Sequence, residues 1–146
     1  MLALAPVRVA DCSCPDTPHD GHNVFLAPTI SLEGGIAAER VMVEVITQDY
    51  ANDAARTRAL TYAWAPIFVR YGAKDWDLCD AQGEPREFDV EEVLGDYSMA
   101  RLVADKCGEL GYGSAVLAPF LTAQATPSRN GRTPRTTSPR RTRTRS

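Results

Sequence analysis

Apolar positions recur with regular spacing through the first 124 residues and then cease. Val7–Asp11 and Asn23–Ala27 are short β-leaning stretches on either side of a Cys/Pro/His/Gly-rich connection, which predicts a small hairpin or two extended strands. Pro28 ends the second, since it has no N–H to give a ladder. Gly34-Gly35 then opens a segment, Ile36–Tyr50, in which Ala38, Val41, Met42, Val45 and Ile46 fall at helical spacing, with Glu39, Arg40 and Glu44 largely opposite. The β-branched run Val41–Ile46 leaves a strand open there, but the length favours a helix. Asn52 or Asp53 caps the next helix, which reaches about Tyr71 on a stripe of Leu60, Trp64, Ile67, Phe68 and Tyr71. Pro66 predicts a kink near Tyr62–Ala65, and Gly72 a left-handed helix end.

Trp76–Asp80 alternates apolar and polar like a half-buried strand. Ala81–Glu84 supplies a turn with Gly83 at positive φ, and Pro85–Phe88 is the expected return strand. Asp89 caps a short helix carrying Glu91 and Glu92 in its first turn, where the helix dipole favours acids. Ser98 is the expected cap of a clearer helix, traced by Met99, Leu102, Val103, Lys106/Cys107 and Leu110 and broken by Gly111 and Gly113. Ser114 to about Gln124 is the last, with Val116, Leu117, Phe120 and Leu121 apolar, and Pro119 kinking it or delaying its start. The whole predicts a small, mostly helical α+β domain with short N-terminal and central β-hairpins.

Charge divides the chain more sharply than its totals suggest. The 146 residues are 44% hydrophobic with a formal net charge of −3. All 19 acidic residues and nine of the 16 basic ones precede residue 125, giving −10 there; seven Arg and no acid follow it, giving +7. Residues 1–124 thus read as one acidic globular domain and 125–146 as a disordered Arg/Ser/Thr/Pro-rich tail with nothing apolar after Ala125 to offset its ordering entropy. The apolar run Ala59–Val69 is too short to span a bilayer, and Leu2–Val7 is a poor signal sequence, so no membrane association is expected and a reducing cytoplasm is. In that compartment the four Cys (12, 14, 79, 107) read as free thiols or metal ligands.

Cys12, Cys14, His19 and His22 form the densest chemical cluster: two thiolates and two imidazoles within eleven positions, enough for a tetrahedral zinc shell. Against zinc, Cys12 and Cys14 have one residue between them where paired zinc cysteines usually have two or more, and four ligands on so short a loop are geometrically tight. The plain alternative is a polar loop with Cys12 buried and the histidines solvated. A Cys–His nucleophile would need an orienting group and an oxyanion site from elsewhere, and no such motif is recognisable; no thioredoxin-like pattern surrounds the CxC pair. Glu91-Glu92 is explained by its place in a first turn, and no phosphate-binding glycine motif occurs. No catalytic or cofactor-binding residue is expected; zinc is the one candidate ligand.

In order, the chain resembles the tail assembly chaperones of tailed phages that infect actinobacteria. The resembling stretches are Asp11-Cys-Ser-Cys-Pro-Asp-Thr-Pro-His19, Phe25–Leu32, Val69–Cys79, Asp80-Ala-Gln-Gly-Glu-Pro85, Val93-Leu-Gly-Asp-Tyr97, and Ala100–Lys106 through Val116–Phe120. The Trp-x-Leu-x-Asp-x-x-Gly-x-Pro core followed by an acidic helix carries most of it, together with the closing Ser/Thr/Pro/Arg tail. Cys79 and Cys107 stand where apolar or small residues are expected, which points away from a functional role for either.

The resemblance implies a non-enzymatic protein of virion morphogenesis. It would bind the tape measure protein in the host cytoplasm, help bring tail tube subunits to it, and be absent from the mature virion. A longer form made by ribosomal frameshifting is common in that family. The alternatives are a structural head–tail or minor tail protein, and a small nucleic-acid-associated protein that uses the Arg-rich tail. That tail predicts non-specific polyanion binding through counterion release. Deleting Ala125–Ser146 is expected to abolish RNA retention at low salt while leaving the far-UV circular dichroism of the domain nearly unchanged, as gel-shift and spectra on the two proteins will show.

Overall fold

The computed structural model describes residues 3–11 and 21–120. By backbone contacts, the described residues up to 113 form one unit and those from 114 belong to a second. Five helices and a three-stranded antiparallel sheet make up the described part, an α+β fold. The expected tail lies outside the described residues.

The N-terminal pair forms as its pattern predicts. β1 (Ala5–Ala10) lies antiparallel to β2 (His22–Leu26), with Val7 opposite Val24 and a register shift between Arg8 and Ala10. Pro6 is tolerated because β1 is an edge strand. β2 is central and buries alternate residues, His22, Val24 and Leu26.

α1 (Leu32–Ile46) starts four residues before the expected Ile36, because Ser31 caps it through Oγ accepting from the Gly34 N–H at 3.1 Å. Gly34 and Gly35 therefore sit inside the helix rather than ahead of it. α2 (Asp53–Gly72) is capped by Asn52, whose side chain accepts from the Ala55 N–H at 2.8 Å, and it runs through Pro66 without interruption. Gly72 ends the helix without a positive φ; the only glycines there among the described residues are Gly83 and Gly111. What position 72 requires is the absence of a side chain: a Cβ would stand 2.9 Å from the Tyr112 hydroxyl and 3.1 Å from Cys107 Sγ.

The central hairpin is rearranged. β3 (Ala73–Trp76) begins directly after α2 and pairs with β2, Val24 opposite Trp76, instead of starting at Trp76 and pairing forward. The forward pairing shrinks to a single bridge between Cys79 and Pro85, supported by Arg86 N–H donating to Leu78 C=O at 3.0 Å. Pro85 has no N–H to extend that ladder, while the free edge of β2 offers β3 both donors and acceptors. The turn itself is as expected, with Gly83 at φ 82°.

α3 (Val90–Gly95) is capped by Asp89. α4 (Tyr97–Glu109) is capped by Asp96, two residues before the expected Ser98, since the Asp96 carboxylate takes the Met99 N–H at 3.0 Å. Of its expected face, Val103 and Cys107 are buried, but Leu102 is exposed. Helical backbone resumes over 112–120, two residues earlier than the expected Ser114 and with Pro119 inside it.

Both tryptophans are core. Trp64 on α2 donates to Ala38 C=O at 2.9 Å and stacks obliquely on Phe68, which meets Tyr112 edge-on at 5.4 Å. Trp76 donates to Arg86 C=O and lies edge-on to Phe88 at 5.2 Å.

Two adjacent glycines in α1 separate propensity from packing. A Cβ on Gly34 would lie 2.9 Å from the Tyr71 Cβ, an atom fixed to the α2 backbone, whereas one on Gly35 meets nothing within 4 Å. Alanine adds up to about 1 kcal/mol of helix propensity at either site. Overpacking costs about 1–3 kcal/mol. Gly35→Ala is expected to raise the melting temperature and Gly34→Ala to lower it, measured by thermal denaturation.

Candidate functional site

Of the four residues nominated for zinc, His22 is described, and Cys12, Cys14 and His19 lie outside the described residues. His22 opens β2, and its side chain is 4% exposed. Its Nδ1 lies 3.1 Å from the Asp77 backbone carbonyl, which can only accept, so Nδ1 carries the proton. Nε2, on the far side of the ring, faces Cys79 Sγ at 3.9 Å. The Asp77 carboxylate is 3.7 Å from Nδ1, on the other edge of the ring, and is engaged by Asn23: its Oδ1 accepts the Asn23 N–H at 2.6 Å and its Oδ2 the side-chain amide at 3.3 Å.

A zinc ion held tetrahedrally would set its nitrogen and sulfur ligands about 3.6 Å apart, from metal–ligand lengths of ~2.0–2.1 and ~2.3 Å. Nε2 and Sγ are close to that separation, and a backbone carbonyl on the remote ring nitrogen is the usual support for a ligating imidazole. The pair offers two donors. No group of three or more His, Cys, Asp or Glu able to hold a metal occurs among the described residues.

Sequence reasoning missed Asp77 and Cys79 as neighbours of His22. A signal was present: two apart on an extended segment, they share a side. What the sequence lacked was the pairing of β3 with β2, which carries the residues after Trp76 to His22. Cys107 is purely internal, its thiol donating to Phe68 C=O at 3.6 Å. Glu91 and Glu92 are spent on ion pairs, Glu91 with Arg70 at 2.7 Å and Glu92 with Arg86. The Arg70 hydrogen bond and charge hold the Glu91 carboxyl below its ordinary value.

The larger chemical feature is apolar surface. A groove of about 200 Å³ is floored by Ala65, Pro66 and Val69 of α2 and walled by Tyr62, Leu94 and Tyr97. At its rim Arg101 donates to the Tyr97 hydroxyl at 2.8 Å, and Arg70–Glu91 ties α2 to α3 beside it. Away from the groove, α1 is apolar on two sides. Gly34, Ala38, Met42 and Val45 are buried, Gly34 against Tyr71 of α2. Leu32, Ile36, Val43 and Ile46 lie about 130° round the helix, within about 80° of arc, and are solvent-exposed. Leu32 is 80% exposed and the other three 40–48%. Single exposed apolar residues are ordinary, but four aligned along one helix form a contact surface. Amphipathicity predicted the buried side; of the residues expected on it, Val41 is only partly buried and Ile46 is exposed, and Val43 points outward with it.

No family model, curated protein or solved structure matches this chain.

Burial pushes the Cys107 thiol up from 9.0 to about 12, and raises the Tyr112 phenol in the same direction. The folded chain therefore keeps a proton that the unfolded chain releases from about pH 9 upward. Stability is whole below that pH and falls as pH climbs toward 12. Iodoacetamide at pH 8 is expected to label half-exposed Cys79 and spare Cys107 until denaturant is added, read by peptide mass mapping. Cys107→Ala is expected to flatten the alkaline loss of stability in urea titrations.

Proposed function

We propose that this chain is a non-enzymatic tail assembly chaperone of a phage, binding the tape measure protein and bringing tail tube subunits to it in the cytoplasm of the infected cell, and leaving before the virion is complete. The observation that carries the reading is the exposed stripe Leu32–Ile36–Val43–Ile46 on α1. A chaperone that holds a long, helical, aggregation-prone client needs an apolar surface for the client's apolar face and a charged remainder to keep the complex soluble. Residues 1–124 supply both, with their net −10 and that stripe. The resemblance of Trp76-x-Leu78-x-Asp80-x-x-Gly83-x-Pro85 and its flanks to that family supplies the client's identity. Among the described residues no helix is long and apolar enough to cross a membrane, which accords with action in the cytoplasm.

Co-expression with a tape measure protein from the same genome tests the reading. The intact chain is expected to keep that client in the soluble fraction. Combined Leu32→Ser, Ile36→Ser, Val43→Ser and Ile46→Ser is expected to let it precipitate. The variant should stay folded, since the four exposed substitutions at about 0.5 kcal/mol or less each sum to no more than about 2 kcal/mol, and its far-UV circular dichroism checks this. Equal precipitation with and without the intact chain refutes the role.

A further inference from the structure

The exposed stripe of α1 carries one charge. Glu39 lies within its arc, midway between Leu32 and Ile46, and is only partly exposed. Its carboxylate has no ion-pair partner among the described residues. The other charges of α1, Glu33, Arg40 and Glu44, lie together along one flank.

That arrangement bears on what covers the stripe. A second copy of the chain, docked antiparallel across a two-fold axis at the middle of α1, would set Glu39 against its own symmetry mate. Two carboxylates would then be desolvated against each other at the centre of the contact, and like charges so placed are strongly disfavoured. A different helix with leucine-like residues on one face and a lysine or arginine at its middle meets neither penalty. Its cation pairs with Glu39 while its apolar residues cover Leu32, Ile36, Val43 and Ile46. We infer that the α1 stripe is a docking site for an amphipathic partner helix that presents a central cation to Glu39. The inference rests on the client-binding reading for its biological partner. Its chemistry stands on the stripe and the unpaired carboxylate.

Two synthetic amphipathic helices test it, identical in their leucine face and differing in one central residue, lysine or glutamate. Titrated into the full chain by fluorescence anisotropy, the lysine peptide is expected to bind about tenfold more tightly than its twin. Glu39→Gln is expected to erase that preference and Glu39→Lys to reverse it, with far-UV circular dichroism and melting unchanged in both. Ile36→Ser combined with Val43→Ser is expected to weaken both peptides. Equal binding of the two peptides, or no binding of either, overturns the inference. So does an equilibrium dimer in ultracentrifugation that Ile36→Ser with Val43→Ser dissolves, because the stripe is then covered by a second copy. None of these measurements uses the tape measure protein, so docking can fail while co-expression rescue succeeds, and the reverse.

Discussion

The hydroxyl of Tyr112 reaches past Gly72 to donate to the Ala27 carbonyl at 2.6 Å, while the Ala27 N–H donates to the Gly72 carbonyl at 2.9 Å. The two bonds join the segment leaving β2, the last residue of α2 and the chain after α4 at one point. Gly72 permits it because it has no Cβ to occupy the space of the phenol. Around this point Phe68 packs edge-on to the Tyr112 ring, and the Cys107 thiol satisfies the Phe68 carbonyl. A buried polar cluster of this kind is stabilising only when every member has its partner, and here the phenol, the thiol and the three carbonyls all do.

The sheet depends on that junction. α2 runs to Gly72 and β3 begins at the next residue, so the end of the helix fixes where β3 lies against β2. β3 in turn delivers Asp77 to Asn23 and Cys79 to His22, one turn of chain before the Gly83 loop. The imidazole–thiol pair is thus a consequence of helix length and sheet pairing. Its nitrogen and sulfur stand 3.9 Å apart, and the Asp77 carbonyl orients the ring.

Among the described residues, exposed apolar surface lies on the outer side of α1 and in the groove lined by α2, α3 and α4. Both are apolar and each carries a charge: Glu39 within the α1 stripe and Arg101 at the rim of the groove. The stripe is long and straight, suited to a helix, whereas the groove is a shallow recess of about 200 Å³. A charge set within an apolar surface contributes selectivity more than affinity, because the wrong partner leaves it unpaired.

Local signals were enough for much of this. Asn52 and Asp89 as caps, the Gly83 turn and the apolar stripe that buries Trp64 follow from residues within a few positions of one another, where capping, φ preference and periodicity act. The misplaced features have a common origin. Ser98 as a cap, Gly34-Gly35 as the opening of the helical segment and Gly72 as a left-handed end are each locally reasonable. Ser31 and Asp96 capping, the Tyr71 contact and the Tyr112 contact decided otherwise. The same holds for the candidate sites. Composition exposed the acidic body and the cationic tail, and the Cys/His spacing singled out His22. That Cys79 faces it, and that α1 turns a second apolar stripe to solvent, depends on which elements pack together, and contacts between residues 57 apart in the chain leave no local trace.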